Sequence, residues 1–140
     1  NIIGFPGETR ELAFDTIELN RHFKADSISC SVFVPFHGTE LRQVAEKQSL
    51  VDKNYIFTTS NSSNEGVLDM AQWPKKEVAK LRSTFTMYVK FPKDRWQEIK
   101  EAETNPSIHK RLSDEFIDTF WGDPKGKIES SLKEAAKGLF

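Results

Sequence analysis

Two short apolar runs constrain this chain most, because each is closed by residues that no strand or helix continues through. Ile2 and Ile3 are β-branched and run straight into Gly4-Phe5-Pro6-Gly7, so a strand there must stop in a sharp turn. Ile28-Ser29-Cys30-Ser31-Val32-Phe33-Val34 alternates at first, becomes continuously apolar, and stops at Pro35, which has no N–H for a sheet ladder. The stretch between them has helical spacing. Ala13 and Ile17 stand four apart, as do Leu19 and Phe23, and Phe14 joins Ile17 in a broad apolar face that also takes in Leu12. Thr9 can cap this helix, Glu8 and Glu11 place negative charge near its positive end, and it should end near Lys24. Strand, helix and strand of this length imply parallel pairing and a right-handed crossover.

The pattern continues briefly. Phe36-His37-Gly38 make a turn, Thr39 is the expected N-cap, and Glu40 to Lys47 make a short helix. From Ser49 the character changes. Tyr55-Ile56-Phe57 is an apolar patch with strand composition, and Thr58 to Gly66 is a polar stretch without periodicity, read as a loop. Beyond it everything reads helical. Pro74 suits a first helical position, and Val78, Leu81, Phe85, Tyr88 and Val89 follow a three-four spacing. Pro92 interrupts, and a shorter helix carries Trp96 and Ile99. Asn105-Pro106 opens another, with Ile108, Leu112, Phe116 and Phe120 recurring every four, Ile117 beside them, and Gly122 as its stop. Asp123-Pro124 starts a last helix with the face Ile128, Leu132, Ala135 and Leu139.

Composition removes several classes of function. A chain of 140 residues carries no apolar run of the roughly 18 residues that a membrane-spanning helix needs. A net charge of -1 gives no electrostatic reason to bind nucleic acid or an anionic membrane. Cys30 is the one cysteine, so neither an internal disulfide nor a site built from several thiolates of this chain is available. The first residue is Asn, not Met, with no secretory leader after it, and the chain reads as a piece of a longer polypeptide.

The segments Ile2-Ile3-Gly4-Phe5-Pro6-Gly7-Glu8-Thr9 and Phe33-Val34-Pro35-Phe36-His37-Gly38-Thr39-Glu40-Leu41 carry a resemblance when taken together. In this order and at this spacing they resemble the later part of the barrel in radical S-adenosylmethionine enzymes, over roughly residues 1–50. The match is closest to members with an upstream cobalamin-binding domain, and next to methylthiotransferases, which share the barrel. The resemblance implies an α/β fold: the last strand-helix-strand units of a partial parallel barrel in residues 1–50, a linker and loop in 51–73, and an all-helical appendage in 74–140. It implies that Ile3, Gly4, Pro6, Glu8, Val34 and Pro35 help bind S-adenosylmethionine at the carboxyl ends of the strands, where ligands of parallel α/β sheets sit. It also implies a 4Fe-4S cluster, and cobalamin as a further cofactor. The family's three cluster cysteines are absent, so they are expected in a missing N-terminal part of the same polypeptide, the fragment's main partner. The intact protein is then expected to be a cytoplasmic enzyme generating a 5′-deoxyadenosyl radical for methyl transfer or other radical chemistry on a small-molecule substrate, and the fragment alone to be inactive. The helical tail favours the cobalamin-linked group, because methylthiotransferases usually end in a small β-rich RNA-binding domain. A non-enzymatic helical interaction module is the alternative of a different class; it explains the tail but not the two early motifs.

The other chemistry-bearing residues read as structural. Glu8 serves its helix start as readily as a ligand. His37 lies on a turn with no second metal ligand in view, and His22 and His109 have no ligand spacing. Cys30 reads as a small buried hydrophobe. Trp73, Tyr88, Trp96 and Trp121 are expected to pack. Lys75, Lys76, Lys80 and Arg82, diluted by Glu77, read as a solvated face, and Asn61-Ser62-Ser63 as a chance sequon.

Overall fold

The computed structural model describes residues 1–57 and 67–122. The expected loop at 58–66 and the last helix at 123–140 therefore lie outside the described residues. Strand β1 (Ile2–Ile3) lies beside β2 (Ser31–Val32) in a two-stranded parallel sheet, with Ile2 opposite Ser31 and Ile3 opposite Val32. Backbone bonds extend the ladder past both labels: Ser31 N–H donates to Asn1 O at 3.0 Å and Phe33 N–H to Ile3 O at 2.7 Å. The ladder is shorter than the apolar runs suggest. Gly4 turns its N–H to the Glu8 carboxylate, and Val34 gives its carbonyl to Phe36 N–H, so neither strand continues.

Helix α1 (Arg10–Arg21) connects the strands and is capped by the Thr9 side chain, which accepts from Leu12 N–H. It ends earlier than Lys24: His22 and Phe23 close it with bonds to Leu19 and Asn20 carbonyls. Its buried face is also narrower than expected. Ala13 and Ile17 are fully buried, but Leu12, Leu19 and Phe23 are exposed, because the rest of the described chain packs against one side of α1 only. Helix α2 (Glu40–Lys47) starts under the Thr39 cap as expected. The patch Tyr55-Ile56-Phe57 is not a strand: Tyr55 N–H closes a turn onto Asp52 O, and Ile56 is exposed.

Helix α3 (Lys75–Lys90) is the centre of the molecule. Pro74 sits one residue before it, and Asp69 accepts from Lys75 N–H in place of a cap. Val78, Leu81, Phe85, Tyr88 and Val89 are buried, and Thr84 and Met87 with them, since α3 packs on α1, β2, α4 (Trp96–Ala102) and α5 (Pro106–Phe116). One apolar cluster runs from Ile3, Ala13 and Phe33 through α3 to Ile99 and Leu112. A single 3₁₀ turn, Lys93–Arg95, follows Pro92, and Asn105 caps α5 through Ser107 and Ile108 N–H. The helix then widens into a π turn, Ile117–Trp121, which ends at Gly122 with φ +66°. Trp121 is exposed there, contrary to its expected packing, whereas Trp73 and Tyr88 are buried and Trp96 is half-buried. The described residues thus form a mixed, mostly helical fold with a small parallel sheet, and none of their helices is long and apolar enough to cross a membrane.

Candidate functional site

The two motif turns leave the same ends of β1 and β2, and the first packs on the end of β2. The Phe5 and Phe33 rings lie 4.9 Å apart, and a Cβ on Gly4 would sit 3.5 Å from Val32 Cγ1. Gly4 has φ +87°, and the same added Cβ would meet Val78 Cγ1 of α3 at 3.1 Å. This glycine is therefore required by its conformation and by close packing of α3 on the turn. Gly7 and Gly38 also have positive φ, but added Cβ atoms there would meet nothing within 4 Å, so both turns open outward.

Glu8 does something that neither sequence reading anticipated. Its Oε2 accepts from Gly4 N–H at 2.5 Å and Phe5 N–H at 2.9 Å, so the carboxylate turns back and fixes the turn instead of reaching forward along α1. Phe5 O is taken by Glu8 N–H, and Gln72 Nε2 donates to Glu8 O, tying the approach to α3 to the same turn. Of the remaining expected ligand-binding residues, Ile3 is fully buried in the core, Pro6 and Val34 are half-buried, and Pro35 is buried.

Pro35 belongs to a second, larger cluster. Arg42 is only 2% exposed, and its guanidinium gathers backbone carbonyls: Nη1 donates to Pro35 O at 3.1 Å, and Nη2 to Asp52 O at 2.8 Å and Tyr55 O at 2.9 Å. Nε is paired with Glu46 at 2.5 Å, and the Phe57 ring lies over the guanidinium. His37 adds a bond from Nε2 to Tyr55 O at 3.1 Å, so that nitrogen carries the proton. The turn after β2 and the chain at 52–57 are therefore one unit, with Phe36, Leu41, Tyr55 and Ile56 exposed around it. Sequence reasoning missed Arg42. Arg42 and Glu46 at i and i+4 look like an ordinary solvent-facing pair, and nothing local announces that carbonyls from a later loop converge on it.

The remaining polar residues act as fasteners. Arg21 donates to Tyr88, Val89 and Phe91 carbonyls and closes the end of α3. Glu103 accepts from Arg10 and from the Tyr88 hydroxyl, joining α1, α3 and the end of α4. Burial, and then the bond to Glu103, push the Tyr88 phenol well above its ordinary range. The expected basic face breaks up: Lys80 pairs with Glu77, and Arg82 donates to Cys30 O. Cys30 is buried, and desolvation pushes its thiol up to about 11, which keeps it neutral and unreactive at physiological pH. No group of three His, Cys, Asp or Glu side chains arranged to hold a metal occurs among the described residues.

No family model matches the chain, and neither the curated proteins nor the solved structures give a significant match.

Proposed function

We propose that this chain is the C-terminal part of a radical S-adenosylmethionine enzyme of the cobalamin-linked kind, with β1, α1 and β2 as late units of its partial α/β barrel. One observation carries the reading. The Gly-Phe-Pro-Gly-Glu-Thr and Pro-Phe-His-Gly-Thr turns, far apart in sequence, emerge side by side from the same ends of two parallel strands. Ligands of parallel α/β sheets sit at such ends.

The residues present fit the proposed groups unequally. For S-adenosylmethionine, the outward-opening turns at Gly7 and Gly38, with Pro6, Val34 and exposed Phe36 beside them, offer backbone and apolar surface. Gly4 N–H, Phe5 N–H and Pro35 O are already bonded within the chain, so they hold the turns in shape and leave ligand contact to their neighbours. An iron–sulfur cluster does not fit this chain, whose one cysteine is buried and neutral. Its ligands would come from elsewhere in the enzyme, as would any cobalamin site. Bound together, S-adenosylmethionine and a reduced cluster supply a 5′-deoxyadenosyl radical; these residues would contribute position and exclusion of water.

The test is to express the full-length protein without oxygen and to reconstitute it with iron and sulfide. The reading predicts cluster absorbance and reductive cleavage of S-adenosylmethionine to 5′-deoxyadenosine. A protein that takes up no cluster and cleaves no S-adenosylmethionine overturns it.

A further inference from the structure

A cleft of about 340 Å³ opens at the other end of β2, between the chain entering that strand, α3 and the π turn. Its two sides differ chemically. Met87, Phe116 and Trp121 make an apolar wall, and the π turn leaves the Trp121 ring at the rim, about half exposed and packed edge-on against Phe116. Arg82, Ser83 and Thr86 face it from α3. Among the described residues Arg82 is the sole charged one lining the cleft, and its Nε reaches Cys30 O at 3.3 Å. No ion pair with Arg82 occurs among the described residues. Cys30, also in the lining, is a neutral thiol. Among the described residues the cleft therefore offers one positive charge without an ion pair, a neighbouring Thr86 hydroxyl and an aromatic cover. Its size is at the lower end of the roughly 300–1,000 Å³ typical of small-molecule sites.

We infer that this cleft binds a small organic monocarboxylate, with the carboxylate on Arg82 and an apolar or aromatic tail against Phe116, Met87 and Trp121. A carboxylate matches the planar guanidinium fork and can take a hydrogen bond from the Thr86 hydroxyl, whereas Ser83 Oγ already donates to Lys80 O. A single cation opposite an apolar wall selects a monoanion with an apolar body over a polyanion. The site lies at the opposite end of β2 from Val34 and Pro35, so it stands or falls independently of the proposed activity.

The experiment titrates the 140-residue chain with octanoate, 1-octanol and octylamine, following calorimetric heat and tryptophan fluorescence. Saturable binding of one octanoate, at least tenfold tighter than octylamine, is expected, with the fluorescence change lost in Trp121→Phe. Arg82→Met should weaken octanoate at least tenfold and leave octanol unchanged, while Arg82→Lys keeps most of the preference. Equal affinity for octanoate and octylamine in the unsubstituted chain, or unsaturable octanoate binding, overturns the site without any variant. So does octanoate binding that survives unchanged in a folded Arg82→Met.

Discussion

Single residues hold the two motif turns in shape, and they do so by different means. Gly4 answers to both conformation and space, Gly7 to conformation alone. Gly4→Ala should therefore cost about 2–3 kcal/mol and Gly7→Ala about 1 kcal/mol, read from urea unfolding; equal costs would mean that Val78 yields freely. Arg42 satisfies carbonyls from Pro35, Asp52, Lys53 and Tyr55. Arg42→Met removes this shared donor, from the buried Pro35 O above all, while Asp52 O keeps Tyr55 N–H and Tyr55 O keeps His37 Nε2; it should destabilise by about 2 kcal/mol, with Arg42→Lys recovering only part because an ammonium lacks the planar fork. A loss below the noise of the unfolding curves would show that the loop does not depend on the guanidinium. Burial pushes the Cys30 thiol up to about 11 from an ordinary 9.0. A thiol pKa raised in the fold makes the unfolded chain ionise first, so the Cys30 contribution to stability should be flat below about pH 9 and fall between about pH 9 and 11. Thermal melts across that window check it, and Cys30→Val should shallow the decline. Tyr88 shifts in the same direction and should leave a remainder.

At the scale of elements, what was legible in the sequence was what is local. Thr9, Thr39 and Asn105 cap their helices where short-range rules place them, and Pro106 stands at the first position of α5. Parallel pairing was legible too, because a strand, one helix and a strand leave little other choice. Which face of α1 is buried was not. Leu12, Leu19 and Phe23 share a helical face by spacing, as Ala13 and Ile17 share another, and periodicity cannot say which one meets α3. The two faces separate cleanly by substitution. Ile17→Ala should cost about 3 kcal/mol and Leu19→Ala less than about 0.5 kcal/mol in the same denaturation assay. Comparable losses would mean that the outer face of α1 is covered after all. Glu8 and Arg42 were illegible for a related reason: their partners are backbone atoms of turns whose paths are set by tertiary packing.

At the scale of the whole molecule, one apolar cluster links the sheet to the helices, with α3 in contact with both. The sheet itself is small. Among the described residues it has two strands, and Ile2 of β1 and Leu12, Leu19 and Phe23 of α1 are exposed. A late portion of a parallel barrel would have this form, with earlier strands and helices adding at β1. The claim that matters most is that the paired motif turns face S-adenosylmethionine. A photoactivatable azido-adenine analogue of S-adenosylmethionine, irradiated with the anaerobically reconstituted full-length protein and mapped by mass spectrometry, tests it directly. The account predicts label within the peptides Gly4–Thr9 and Val34–Thr39, suppressed by excess S-adenosylmethionine. Competable label that falls entirely outside those two segments would contradict it.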